Sequence, residues 1–298
     1  MSANRALLCG VSLMPEPHWL QAALPLFESG AVEIVEWSFD TCWDELGGAS
    51  WMHELLTHFS AAGRLLGHGV SLSLLSVEND YHDAWFKRFA LDCERYSFNH
   101  VTEHFGFMRT RNFHRGAPLP VPYDPTLLPL ANERLSRLQS LCKCPVGLEN
   151  LALAFSKGDV QNHAEFLSQL VSGVPGGFIL LDLHNLYCQA KNFDLPLSDL
   201  LKLYEPSLVR EIHISGGSWS EGAHSQTRKI RRDTHDEAVP EELFDFLPQA
   251  LRALPNVKAV IFEQLSSSLL TDQAQIQFRS DFSALRTIVE EYRHGDTV

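Results

Sequence analysis

Eight short apolar runs recur along this chain, and most of them close on a histidine or a carboxylate. They cover residues 6–12, 32–36, 65–72, 98–104, 145–149, 178–182, 209–214 and 257–263. Most are apolar nearly throughout, the pattern of strands buried on both faces in a parallel sheet. Longer amphipathic stretches separate them. Helices are expected over 53–63, 84–96, 125–141, 160–172, 196–204, 240–254 and 272–292. Gly63 fits a C-cap, Asp124 with Pro125 an N-terminus, and Asp159 an N-cap. Eight β–α alternations favour an α/β fold, a single (β/α)8 TIM barrel, over a doubly wound sheet.

Length agrees. The 298 residues, 45% hydrophobic, suffice for one barrel domain spanning about 6–290 with a frayed C-terminal tail. Two long connections interrupt the alternation. One, 109–123, is proline-rich; the other, 215–232, is Gly/Ser-rich and ends on Arg228-Lys229-Ile230-Arg231-Arg232. Loops of this length are usually functional, and in this fold they follow strands onto the catalytic face.

The net charge of −13 argues against a nucleic-acid-binding protein, which needs a basic face. No apolar run approaches a membrane span, the first residues carry no signal-peptide cleavage pattern, and the six cysteines match no zinc-ribbon or disulfide spacing. A cytoplasmic protein with free thiols is expected.

The polar residues closing the runs are His68, His104, Glu149, Asp182, His213 and Glu263, joined by Asn185 and by the pair Asp233 and His235. Successive members lie roughly 20 to 45 residues apart, about one βα unit. At the ends of barrel strands such residues converge on one point. Each histidine alone fits a packing role as well as a ligand role, and His53, His58, His82, His114, His163 and His224 are read as packing residues. Glu103 and His104 are adjacent and face opposite sides of a strand, so one of them addresses the axis; His104 is the choice. Asp233 and His235 share a face if their segment is extended. Grouped carboxylates in one buried place are costly without a counter-charge. Imidazole and carboxylate suit a borderline divalent metal, Fe or Zn, and the number of donors suits two or three ions.

At these residues the chain resembles the xylose isomerase-like barrel superfamily. Within it, Gly67-His68-Gly69-Val70-Ser71-Leu72, Thr102-Glu103-His104-Phe105-Gly106-Phe107, Leu148-Glu149-Asn150, Asp182-Leu183-His184-Asn185-Leu186-Tyr187, Ile212-His213-Ile214-Ser215-Gly216 and Asp233-Thr234-His235-Asp236 resemble the DUF692 (UPF0276) family, the multinuclear non-haem iron-dependent oxidative enzymes (MNIO). The resemblance implies an oxidoreductase holding two to three Fe ions, mixed Fe(II)/Fe(III), which uses O2 to modify a ribosomally made precursor peptide (RiPP biosynthesis), typically at cysteine. It also implies a small partner protein that recruits the peptide. Carried over, His68, His104 and Glu149 hold one iron. Glu149 bridges to a second, held by Asp182, His213 and Glu263, and Asn185, Asp233 and His235 hold the third. The family commonly has Ser at Thr102, Asn at His184, and Trp-Asp after the final Glu where this chain has Gln264-Leu265.

His184 is open between an extra ligand, a substrate contact and a packing residue. Asp236 is open between a general base and a helix cap. Arg228, Arg231, Arg232 and Asn150 are candidate peptide contacts, since arginine grips carboxylates bidentately. Trp37, Trp43 and Trp51 fit either a peptide groove or the core. Three rival readings share these residues: a zinc phosphodiesterase like endonuclease IV, a sugar isomerase, and a metal-dependent peptide-binding scaffold without turnover. A histidine at position 185 and a basic face are expected of the first, and a lysine near the metals of the second. Turnover separates the third.

Overall fold

The apolar runs become parallel strands because each is flanked by a helix that covers its outer face. A computed structural model describes residues 7–41, 43, 50–110, 113–222 and 225–295, with side chains for all of these except 110, 113–117, 222 and 225–228. Twelve strands occur among them: β1 (Leu8–Leu13), β2 (Ile34–Trp37), β3 (Leu65–Gly69), β4 (Val101–His104), β5 (Phe107–Thr110), β6 (Phe113–Leu119), β7 (Val146–Glu149), β8 (Phe178–Asp182), β9 (Val209–Ser215), β10 (Trp219–Gly222), β11 (Ser225–Arg231) and β12 (Ala259–Glu263). Eight of them close a barrel in the order β1-β12-β9-β8-β7-β4-β3-β2. Every expected strand is present, with ends displaced by no more than three residues.

Nine α-helices occur among the described residues: α1 (Pro17–Glu28), α2 (Ser50–Ala61), α3 (Asn79–Arg95), α4 (Leu128–Cys142), α5 (Lys157–Ser172), α6 (Leu183–Phe193), α7 (Leu197–Leu201), α8 (Glu241–Ala253) and α9 (Asp272–His294). The periodicity of α1 escapes the sequence reading, because Pro25 lies inside it. The helix expected after the sixth strand over 196–204 is in fact two. Asp182 caps α6 by accepting from the backbone N–H of Asn185 at 2.7 Å, so the chain turns directly from strand into helix, and α7 follows. In α5 the cap is Ser156, whose hydroxyl accepts from Asp159 N–H; Asp159 lies in the first turn. The two long connections hold antiparallel hairpins, β5–β6 and β10–β11, inserted after β4 and β9.

By internal contacts the chain divides into two compact units, residues 1–35 with 181–298, and residues 36–180. In the second unit β3, β4 and β7 run in parallel register, His68 opposite Thr102 and His104 opposite Glu149. Its core is aromatic. Phe39 meets Phe89 at 4.7 Å between ring centroids, and Trp85 stacks on Phe89 at 5.4 Å. In the first unit β12 pairs with β1 and β9, with Ile261 opposite His213. Phe278 of α9 packs on Phe262 of β12 at 5.1 Å and on Trp19 of α1 at 6.3 Å. Each large aromatic contributes both buried area and edge-to-face attraction. No described helix is long and apolar enough to cross a membrane.

Candidate metal centre

The register of β3 on β4 decides how His68 is used. Opposite His68 stands Thr102, whose hydroxyl donates to the carbonyl of Gly67 at 3.3 Å. That hydroxyl has one proton, so it accepts from His68 Nδ1 at 2.8 Å. The imidazole therefore carries its proton on Nδ1 and presents a lone pair at Nε2. This lone pair lies 3.4 Å from Glu149 Oε2, and His104 Nε2 lies 3.1 Å from the same oxygen. His68 and Glu149 are almost fully buried. A neutral imidazole lone pair and a carboxylate oxygen repel unless a proton or a cation stands between them. His68, His104 and Glu149 offer ligand atoms within 4.8 Å of one another. Two neutral imidazoles and a carboxylate are a fitting donor set for iron or zinc.

Glu103, next to His104, turns to the other side of β4, as strand alternation requires. Its Oε1 accepts from His104 N–H at 3.1 Å, and it packs where a Cβ on Gly69 would stand. Burial pushes its carboxyl well above the ordinary range, and the Asp40 carboxylate adds to the shift.

The first unit carries a longer chain of contacts. His213 Nδ1 lies 3.1 Å from Glu263 Oε2, and its Nε2 is 3.7 Å from Glu211 Oε1. Glu263 Oε2 is 3.7 Å from His235 Nδ1, whose Nε2 is 2.8 Å from Asp233 Oδ1. The same Asp233 oxygen lies 3.0 Å from His184 Nδ1. Asp182, Asp233 and His235 offer ligand atoms within 4.8 Å of one another. Asp233 and His235 meet without an extended segment. His235 has φ +50°, a left-handed backbone uncommon outside glycine, and its carbonyl is held by Leu265 N–H at 2.8 Å. Such conformations persist where surroundings over-determine them, often at functional sites.

Electrostatics mark the same place. Burial alone would push the His235 imidazole down, but the carboxylates of Asp233 and Glu263 outweigh it and hold the pKa well above the ordinary value. Burial alone would raise Asp233, yet His235 and His184 hold it far below the usual carboxylate range. A proton on His235 thus occupies a position where a cation is favoured.

The remaining candidates fall as follows. Asn185 is buried in the first turn of α6. His184 is fully buried. Asp236 is exposed and accepts from Thr234 Oγ1 at 2.5 Å, and the N-cap position of α8 is Pro240, so Asp236 caps no described helix. Arg231 is buried, Arg232 is exposed, and the side chains of Arg228 and His114 lie outside the described residues, as does His224. Asn150 is buried and its N–H donates to the Leu180 carbonyl. Trp37 is core, and the Trp43 indole donates to Asp92 at 2.7 Å. His82 and His163 are buried, and His82 Nε2 lies 3.0 Å from the Leu72 carbonyl oxygen.

Three residues were passed over. Glu211 is fully buried and stands two positions before His213, on the same face of β9. Period two was the available signal. Thr102 could be found by the same rule, two before His104. Glu36 is also fully buried at the end of β2, where the second apolar run closes on a carboxylate like the others.

A family described as RiPP precursor modification enzyme MbnB/TglH/ChrH matches residues 29–268. The chain belongs to this family. Its similarity to other members extends beyond the motifs. A UPF0276 protein of Caulobacter vibrioides is 26% identical over 257 residues, 85% of each chain. A UPF0276 protein of Chromobacterium violaceum is 29% identical over 250 residues, 83% of this chain and 84% of its own. Among solved structures, a xylose isomerase domain protein from Planctomyces limnophilus superposes with TM-score 0.63 at 14% identity, over 96% of this chain and 98% of its own. An L-ribulose 3-epimerase superposes with TM-score 0.60 at 11% identity, over 97% of each. These structural likenesses concern the barrel; a shared fold does not carry a shared reaction.

Proposed function

We propose that this protein is a multinuclear non-haem iron enzyme that uses dioxygen to oxidise a ribosomally made peptide, at a cysteine of that peptide. Membership in the RiPP precursor modification family supports a peptide substrate. The observation that carries the metal is the meeting of His68 Nε2, His104 Nε2 and Glu149 Oε2 with the His68 proton tied down on the far side by Thr102. In this reading His68, His104 and Glu149 hold one iron, Asp182, His213 and Glu263 a second, and Asn185, Asp233 and His235 a third. The amide oxygen of Asn185 is a weaker donor than imidazole, so the third ion is the most labile.

Bound iron supplies one-electron chemistry with dioxygen and a positive charge that favours a substrate thiolate. The chain's own residues do the rest. Thr102 fixes the His68 tautomer; Asp182 both caps α6 and points a carboxylate at the Asp233–His235 pair; Glu211 backs His213. When a cation enters beside His235, the proton there leaves, so metal uptake releases acid. Exposed Arg232 is available to an acidic stretch of the peptide, and a small partner protein delivers that peptide. The protein is cytoplasmic.

The test is metal content and Mössbauer spectroscopy of protein purified without oxygen, followed by oxygen uptake with a cysteine-bearing peptide. Two to three irons per chain, falling in Glu149→Ala, and peptide-dependent uptake support the reading. Stoichiometric zinc with little iron points to a hydrolase and overturns it.

A further inference from the structure

His184 has both ring nitrogens engaged, and this decides what it does. Its Nε2 faces Arg231 Nε at 3.2 Å. A guanidinium has donors only, so Nε2 must be a lone pair that accepts. The single ring proton then sits on Nδ1, aimed at Asp233 Oδ1 3.0 Å away. Neither nitrogen is left for a metal or a substrate.

Arg231 is itself held from several sides. Its backbone N–H donates to Asn192 Oδ1 at 2.8 Å, and Asn192 Nδ2 returns a bond to its carbonyl at 2.9 Å. Its guanidinium carbon stands 5.3 Å from the centre of the Tyr187 ring and 5.5 Å from that of Trp219. Its Nη1 is 3.7 Å from Glu237. The residue is 4% exposed. Buried arginine in such a cradle is pre-organised, and little rotamer freedom remains to be lost. Glycine at 217 completes the arrangement: a Cβ there would stand 2.7 Å from His184 Cε1.

We propose that Arg231 and His184 are positioning residues that orient the Asp233 carboxylate toward its metal ion. Arg231 sets the tautomer of His184, and His184 pins one oxygen of Asp233. Hydrogen-bonded partners behind a ligand typically change metal affinity by about 10- to 100-fold. The inference rests on the reading of Asp233 as a ligand.

The experiment is anaerobic titration of metal-free protein with Co(II), read by its visible absorption, in wild type and in His184→Leu, His184→Asn, Arg231→Met and Asp233→Asn. Asp233→Asn identifies which class of ion depends on that carboxylate. His184→Leu and Arg231→Met are expected to weaken that class about 10- to 100-fold and to leave the others unchanged. His184→Asn, whose amide N–H takes the place of Nδ1–H, is expected to retain most of the affinity. Unchanged affinity in His184→Leu overturns the positioning role while leaving the metal reading intact. Equal weakening of every class, with loss of near-ultraviolet circular dichroism, reduces both residues to packing and also overturns it. A wild-type protein that takes up no Co(II) or Fe(II) overturns the metal reading itself.

Discussion

His68 and Glu149 face each other as two acceptors, Nε2 and Oε2 3.4 Å apart, in a place almost closed to water. Packing does not explain that approach, since the same residues could be hydrophobic at lower desolvation cost. A shared proton or cation does, and the proposed function makes it a cation. The Thr102 hydroxyl, 2.8 Å from His68 Nδ1, holds the ring with its Nε2 toward Glu149. Thr102→Val is therefore expected to weaken metal binding at His68 about 10- to 100-fold, while Thr102→Ser stays within a few-fold. Fe(II) titration under nitrogen, with the ion of the His68 group followed separately, checks this. Equal affinities for the valine and serine variants would mean that the tautomer is set elsewhere.

Glu149→Gln acts differently on the empty and the filled site. In metal-free protein Glu149 lies buried, 3.4 Å from His68 Nε2 and 3.1 Å from His104 Nε2, and its near-isosteric replacement by Gln is expected to melt close to wild type in chelator. Adding Fe(II) at about 100 times the dissociation constant stabilises wild type by about 2.7 kcal/mol per ion. The variant is expected to lose the share due to the His68–His104 ion. Differential scanning calorimetry with and without metal decides. A variant that melts well below wild type in chelator shows that Glu149 is structural.

Much of this was legible because the barrel's strands are nearly pure apolar runs ended by a polar residue. Buried parallel strands have little freedom to read otherwise, and the register of a barrel turns strand ends into a site. His68, His104 and Glu149 come together in this way. Legibility failed where tertiary context overrode local signal. From the sequence, Asp182 closes the sixth run and the next helix is expected only at 196; its own carboxylate in fact caps a helix that begins at once, so the same residue ends β8 and caps α6. The hairpins β5–β6 and β10–β11 lie in the two long connections, where charged and polar residues prevail and no apolar alternation marks a strand. His184 was beyond sequence altogether. Its role depends on Arg231, 47 positions away, reached only through the second hairpin.

A pH-dependent contribution comes from Glu33. Cys9 N–H donates to its Oε2 at 2.9 Å and Arg293 Nη1 to its Oε1 at 3.0 Å, and Arg293 also binds the Leu7 carbonyl. Partial burial pushes the Glu33 carboxyl up, but the Arg293 bonds outweigh it, and its pKa is lowered from 4.5. A depressed folded-state pKa means that the unfolded chain takes up the proton first as pH falls. The stabilisation is present above about pH 4.5 and is lost as pH falls through the lower folded value. Melting curves of wild type and Glu33→Gln are expected to be separated at pH 7 and to converge toward pH 3. A gap that is constant with pH would assign the effect to packing.

Gly217 joins the fold to the site, and its replacement tests both at once. A Cβ there would stand 2.2 Å from the Arg232 carbonyl oxygen, 2.7 Å from His184 Cε1 and 3.0 Å from Thr234 N. Two of these are backbone atoms flanking Asp233, so the strain has no flexible side chain to relax into. Gly217→Ala is expected to cost about 1–3 kcal/mol, as overpacking does, and to displace Asp233 from His184. With the ligand sets proposed above, metal at Asp233 and His235 is expected to be lost while that at His68, His104 and Glu149 persists. Gly158→Ala is the control. Its Cβ would find only Ser156 Oγ at 3.7 Å, in the first turn of α5, so it should be neutral or raise stability by about 0.4–1 kcal/mol. If Gly217→Ala melts like Gly158→Ala and keeps every ion, the close approach is not what holds the Asp233 group in place.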